Sequence, residues 1–374
     1  SAFAAFLLAA FVMAQCSVYG IRVERGGNGD GICGGELILP LTVTNRTILF
    51  RQATVLAERC EFAPGGVLHT AVPPLSPRES LRLERSLIAE KRGCFELGTV
   101  RLSGGDPAGL FRRTKRFRLP GEVVIYPRVV RLESIQLHPA GAHTLGTDGR
   151  PLGRSGQGQE FFGLRPYRPG DEIRFIHWRG TASKQRLMIR EFEANTVDQV
   201  VILLDTCATL VGNDPRESNL EFLISMAASL AAFLKEISCR VLFMAADGRT
   251  GEPVRLFGDS AGLYPRLRRL LTVIEPGRVP FSSLLQEAAE EIPAGSLVYA
   301  LCLGEEKAAA ELLELLFDCN CRIHWFLAPK GNFPPIQADE PRIVYERRRQ
   351  ELPPGAVRPR ELFFTTRMAE VLEK

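Results

Sequence analysis

The chain has 374 residues, 45% hydrophobic and 24% charged, which leaves room for two or three domains with their own cores and excludes a disordered polymer. A net charge of +4 and a pI near 8.6 are too weakly basic to argue for nucleic acid. Nine cysteines at irregular spacing, none in a C-x-x-C pair, argue against a disulfide framework and a finger-type zinc site.

Residues 2–14 carry no polar side chain, and Val18, Tyr19 and Ile21 continue the apolar character. The run is short of the about 20 residues a span needs, so a clipped transmembrane helix over 1–21 is expected. Tyr19 would sit at the interface, with Arg22 and Arg25 placing the following domains on the cytoplasmic side of the plasma membrane. A signal-peptide core is the alternative. Residues 22–130 then show short β-like runs at 36–45, 49–62, 80–90, 94–103 and 122–126, broken by turn residues, which predicts an antiparallel β-sandwich. The glycine-rich tract at 26–35 reads as a loop. Arg112, Arg113, Lys115, Arg116 and Arg118 form a basic run read as a solvated edge that resists strand pairing. An anionic membrane surface or nucleic acid is the other reading of it, without an aromatic stacking platform. Residues 131–160 read as a linker, and His138 and His143 within it have no ligand-like company.

Residues 161–198 are denser in information than anything before them. Pro169-Gly170 marks a turn, and Asp171 behind it is placed to cap a short helix over 172–180 carrying Arg174, His177 and Trp178. Residues 187–193 alternate as a strand does. Arg165, Arg168, Arg174, Lys184 and Arg190 face Asp171, Glu172, Glu191 and Glu193 in the same stretch. An internal salt-bridge clamp accounts for that density, and a recognition surface for a partner or an anion accounts for it too.

From residue 199 the rhythm becomes strand, helix, strand. Strands are predicted at 200–204, 240–246, 253–257, 297–303 and 322–327, and helices at 220–237, 263–273, 281–292 and 307–317. That alternation over 199–336 specifies a doubly wound, mostly parallel α/β sheet, whose ligands sit at the carboxyl ends of the strands. Asp205 ends the first strand there. Residues 337–374 are a charged tail with a last helix at 366–373.

The run RPYRPGDEIR from Arg165, then His177-Trp178, Ala182-Ser183-Lys184 and LMIREFE from Leu187 resemble the signature of a bacterial and archaeal family known only as domain of unknown function family 58. KRGCFELG from Lys91 and DPAGLF from Asp106 resemble it as well, with Ala108 where the family usually has an aromatic. The resemblance covers Tyr167, Gly170, Asp171, Glu191 and Glu193 among the signature positions. It implies a membrane-anchored protein with a von Willebrand factor A-like domain, often found alongside a MoxR-type AAA+ ATPase.

Such a domain commonly binds a hard divalent cation through Asp-x-Ser-x-Ser after its first strand. The matching positions here are Asp205, Cys207 and Thr209, and the sulfur of Cys207 suits Mg²⁺ or Mn²⁺ poorly. The threonine loop falls near Gly277-Arg278-Val279-Pro280 and the later aspartate near Leu303-Gly304, where neither residue type occurs. A degenerate, empty metal site is therefore expected, without Mg or Mn, and Arg278 is a candidate to pair with Asp205 in the ion's stead. Catalysis has one candidate constellation, a Cys207–His177 thiol–imidazole pair, with no third group to orient it. The expected function is that of a non-enzymatic adaptor or scaffold, a partner of a MoxR-type ATPase in assembly or maturation of protein complexes. A cysteine-dependent enzyme and a structural cell-envelope module are the alternatives.

Overall fold

The computed structural model describes residues 2–27, 29–135, 156–166, 176–178, 181, 187–192, 199–214, 216–237, 239–334 and 357–373. They fall into two compact units, Ser1–Arg128 with Arg268–Val273, and Val129–Leu267 with Ile274–Lys374.

The first unit opens on helix α1, Ala2–Ser17, which corrects the expected transmembrane segment and, with it, the plasma-membrane placement. Among the described residues no helix is long and apolar enough to cross a membrane. Ala10, Ala14 and Ser17 are buried instead, and the Phe11 ring meets Phe111 edge-on at 5.6 Å. What reads as the end of a span, from Ile21, is already a strand: Ile21 and Val23 are buried while Arg22 and Glu24 are exposed.

Two sheets follow. One joins β1 (Ile21–Arg25), β3 (Glu36–Asn45) and β6 (Ser80–Ile88) in the order β1-β3-β6. The other joins β2 (Gly29–Ile32), β4 (Thr54–Arg59), β5 (Val67–Val72), β7 (Gly93–Gly105) and β8 (Arg112–Tyr126) in the order β2-β8-β7-β4-β5. The glycine tract expected as a loop thus contains β2, paired parallel to β8. The basic run lies inside β8 rather than ahead of it. Lys115, Phe117 and Leu119 are half-buried there, while Arg116 and Arg118 are exposed. The 49–62 run is a strand only over Thr54–Arg59, and Ile48, Leu49 and Phe50 before it are exposed.

Apolar residues of both sheets meet in two clusters, one around Leu41, Leu56 and Leu102 and one around Leu39, Phe62 and Ile125. An ion triad is buried with them. Glu58 in β4 takes Arg25 of β1 on one oxygen and Arg85 of β6 at 2.7 Å on the other, with Glu58 and Arg85 side chains each 1% exposed. The Arg25 and Arg85 guanidinium groups also donate to the carbonyls of Leu119 and Leu39, as buried charge requires.

In the second unit, β9 (Gly156–Pro166) and β10 (Met188–Phe192) form an antiparallel pair. The main sheet joins β11 (Gln199–Leu204), β12 (Arg240–Asp247), β13 (Glu252–Asp259), β14 (Leu297–Cys302), β15 (Arg322–Leu327) and β16 (Arg360–Glu361). Its order is β13-β12-β11-β14-β15-β16, parallel throughout except for β13. Every residue of β11 and β14 is buried, as strands covered on both faces must be. Among the described residues α2 (Asn219–Leu234), α4 (Phe281–Ala289) and α5 (Lys307–Asp318) accompany it, with a short α6 (Met368–Leu372) near the end, while α3 (Ser260–Val273) begins in this unit and ends in residues counted with the first. Ser218 caps α2 by accepting from the Glu221 amide at 3.3 Å. Val201 and Leu203 of β11 share one core with Leu284 and Leu285 of α4 and Leu313 of α5. None of α2 enters that core although it packs along β11 and β14, so it covers the opposite face.

Candidate functional site

The strand order runs outward from β11 in both directions, so the direction of winding reverses between β11 and β14. A crevice opens outside the strand ends at such a point. Asp205 is the first residue beyond β11, and it is 1% exposed. Its Oδ1 accepts from the Cys207 amide at 2.9 Å and its Oδ2 from the Leu303 amide, just past β14, at 3.0 Å. Its own amide donates to Leu301 O at 2.9 Å. The carboxylate therefore staples the ends of the two strands together.

The loop after Asp205 is braced from the other side. Thr206 Oγ1 donates to Ala246 O at 2.6 Å, the Gly277 amide to Thr206 O at 2.8 Å, and the Ala208 amide to Gly277 O at 2.7 Å. Gly277 reaches this far because the Gly248 turn leaves it room. A Cβ on Gly248 would stand 1.9 Å from Pro276 O. Cys207 Sγ lies 3.3 Å from Thr209 Oγ1, at the exposed side of the same turn.

Burial pushes the Asp205 carboxyl up to about 6, against the two backbone amides, which pull it down, and Glu306 nearby adds to the rise. Glu306 escaped the sequence reading, which looked for an aspartate near Leu303-Gly304. It accepts from the Ser282 amide in the first turn of α4 at 3.0 Å. The only signal for it in the sequence is an acidic pair, Glu305-Glu306, directly before α5.

These donors do not fit a hard divalent ion. Both Asp205 oxygens are engaged by backbone amides and the Glu306 carboxylate is engaged by another, while Cys207 contributes sulfur where oxygen is needed. Among the described residues no group of three or more His, Cys, Asp or Glu side chains is arranged to hold a metal. The pairing suggested for Arg278 is not formed. Arg278 is exposed, and the Asp205 oxygens accept from the Cys207 and Leu303 amides instead.

Of the signature residues, His177 is half-buried and its amide donates to Met188 O at 2.8 Å. Ile176 beside it forms a β-bridge, so the helix predicted over 172–180 does not include that position. Trp178 is 66% exposed, and Leu187 is 43% exposed. Arg165 stands opposite Ile189, Arg190 opposite Leu164, and Glu191 opposite Gly163 in the β9–β10 ladder. Tyr167, Arg168, Gly170, Asp171, Arg174, Lys184 and Glu193 lie outside the described residues, as do Glu172 and the greater part of the predicted clamp. The thiol of Cys207 has the Thr209 hydroxyl as its partner rather than an imidazole.

Known proteins resemble parts of this chain. The "Uncharacterized protein YeaD" of Bacillus subtilis (strain 168) is 27% identical over 128 residues, 34% of this chain and 32% of that protein. The chain thus aligns with about a third of that relative's length. Among solved structures, the GH20 exo-β-N-acetylglucosaminidase of Vibrio harveyi bound to N-acetylglucosamine matches at a TM-score of 0.19 and 10% identity, over 57% of this chain and 37% of that one. An inactive mutant of that enzyme matches at 0.20 and 9%, over 83% and 46%. Scores this low carry no information about fold or activity. The stretch that holds β10, β11, α2 and β12, and with them Asp205 and Trp178, lies within residues 163–255, which match the family model described as Protein of unknown function DUF58.

Proposed function

We propose that the protein is a non-enzymatic adaptor that holds another protein through the segment matching the family model. The observation that carries this reading is Trp178, 66% exposed, with Leu187 exposed beside the same backbone pairing. A large aromatic exposed to water is the residue type that most often anchors a protein interface. Support also comes from the strand ends of the main sheet, where Asp205 serves as a backbone staple and the Cys207 thiol meets a hydroxyl. The strand order with one antiparallel edge suits the von Willebrand factor A-like reading of the second unit. By family resemblance the partner is a MoxR-type AAA+ ATPase, and the role is assembly or maturation of protein complexes.

The test is a pull-down with a MoxR-type AAA+ ATPase, with ATP bound. Association is expected, weakened about tenfold or more by Trp178→Ala, the loss typical of an aromatic anchor. Circular dichroism should show that the variant remains folded. Absence of association with the intact chain overturns the reading. A turnover abolished by alkylating Cys207 would replace it with an enzymatic one.

A further inference from the structure

The first unit carries a second surface, independent of the partner reading above. The ladder between β4 and β7 runs from Val55↔Ser103 to Glu58↔Val100 and stops. β7 itself stays paired with β8 down to Gly93↔Ile125. From residue 99 back to residue 93, then, β7 has β8 on one edge and, among the described residues, no strand on the other. A cavity of about 590 Å³ lies there, bounded by the end of β4 at Arg59, the turn at Cys60–Phe62 and the β7 backbone from Cys94 to Thr99.

Glu61 and Glu96 line the cavity as well as Arg59 and Arg101, and the exposed face is basic at the end where β4 and β7 still pair. Arg101 of β7 stands directly opposite Arg116 of β8, and Arg118 lies opposite Thr99. Arg59 of β4 shares the face, and its exposed pair with Glu61 at 3.1 Å is of the weak surface kind. Like charges directly across a ladder are destabilising, and among the described residues no carboxylate forms an ion pair with Arg101 or Arg116. Edge protection accounts for charges on the outer part of β8. It does not account for Arg101 and Arg59, which belong to interior strands of the sheet order. Glu96 and Glu122 face each other further along the same surface, so its charge changes sign towards the Gly93 end.

We propose that this groove binds an extended acidic peptide segment of a partner protein, which adds to the open edge of β7 as a further strand. Backbone pairing to residues 94–99 supplies the affinity, and carboxylates set against Arg59, Arg101 and Arg116 supply the selection. A single-stranded nucleic acid fits less well. The aromatic rings at the groove, Phe62 and Phe95, pack on each other at 5.0 Å, and Phe62 is 1% exposed, so it offers no face to a base.

Fluorescence anisotropy with the full chain tests the proposal, using an alternating glutamate–threonine peptide, its lysine–threonine counterpart, a backbone N-methylated glutamate–threonine peptide and a single-stranded oligonucleotide. The glutamate–threonine peptide is expected to bind and the lysine peptide not to. The double variant Arg101→Gln with Arg116→Gln should weaken binding about tenfold without lowering the melting temperature, because it removes a repulsion. N-methylation should weaken binding with the wild-type chain, which reports backbone pairing whatever the variant does. No binding of the acidic peptide, binding unchanged in the double variant or by N-methylation, tighter binding of the oligonucleotide, or self-association lost in the double variant would each overturn the proposal.

Discussion

Burial lifts the Asp205 carboxyl to about 6, while the amides of Cys207 and Leu303 hold its charge in place. The folded-state value lies above the ordinary aspartate value of about 3.9. Its contribution to stability is therefore fully present below about pH 4 and is lost as pH rises through about 6, by about 3 kcal/mol in all. Carboxyl carbon NMR should give a midpoint near 6 for this residue, and Asp205→Asn should flatten that part of the stability profile. A midpoint in the ordinary carboxylate range would contradict the account. His324 moves the other way. Burial, then Arg360 and Arg322, press it down to about 4, so its contribution is complete above about pH 6.5 and is lost as pH falls through about 4. The two groups oppose each other over one window, which is why single-site variants are needed to see either. Asp205 was legible in the sequence as the end of an apolar strand. Its partner Leu303, 98 residues away, was not, because a backbone amide has no side-chain signature.

At the scale of elements, the turn after β12 governs the loop after β11. Gly248 donates to Glu275 O at 3.0 Å and leaves no space for a side chain against Pro276. Gly248→Ala should cost about 1–3 kcal/mol, as overpacking does, read by urea denaturation. It should also shift the Asp205 midpoint, since Gly277 would lose its purchase on Thr206 and Ala208. An Asp205 midpoint unmoved in a clearly destabilised variant would separate the two loops. The helices of the main sheet were legible to within a few residues, α4 and α5 because each has an apolar face to bury and a polar one to wet, and α2 because it is apolar nearly all round. β8 was not, since its outward arginines hid the inward series Lys115, Phe117 and Leu119 inside one run of charge. The exposure of Trp178 was illegible for a different reason. An aromatic in a charged stretch looks the same whether it is packed or presented, and only its surroundings tell which.

Over the whole molecule the two units have separate cores, so they are expected to unfold separately. Arg85→Ala breaks the buried triad and leaves Glu58 short of a partner, at a cost of about 3–5 kcal/mol. Calorimetry should show that variant lowering one transition and Gly248→Ala lowering another. One transition moved equally by both would mean that the units melt as one. By itself the sequence determined the alternation of buried strands and amphipathic helices after residue 199, and the position of Asp205 at the end of the first of those strands. Both are local periodicities, written in neighbouring side chains. Tertiary structure decided the rest: that the N-terminal apolar run is a short helix with one side packed, that Asp205 is a staple between strand ends, and that β7 leaves an edge open beside four arginines. Each of these depends on which distant backbone lies alongside, and hydrogen-bond partners and burial are set there rather than by the identity of the residue.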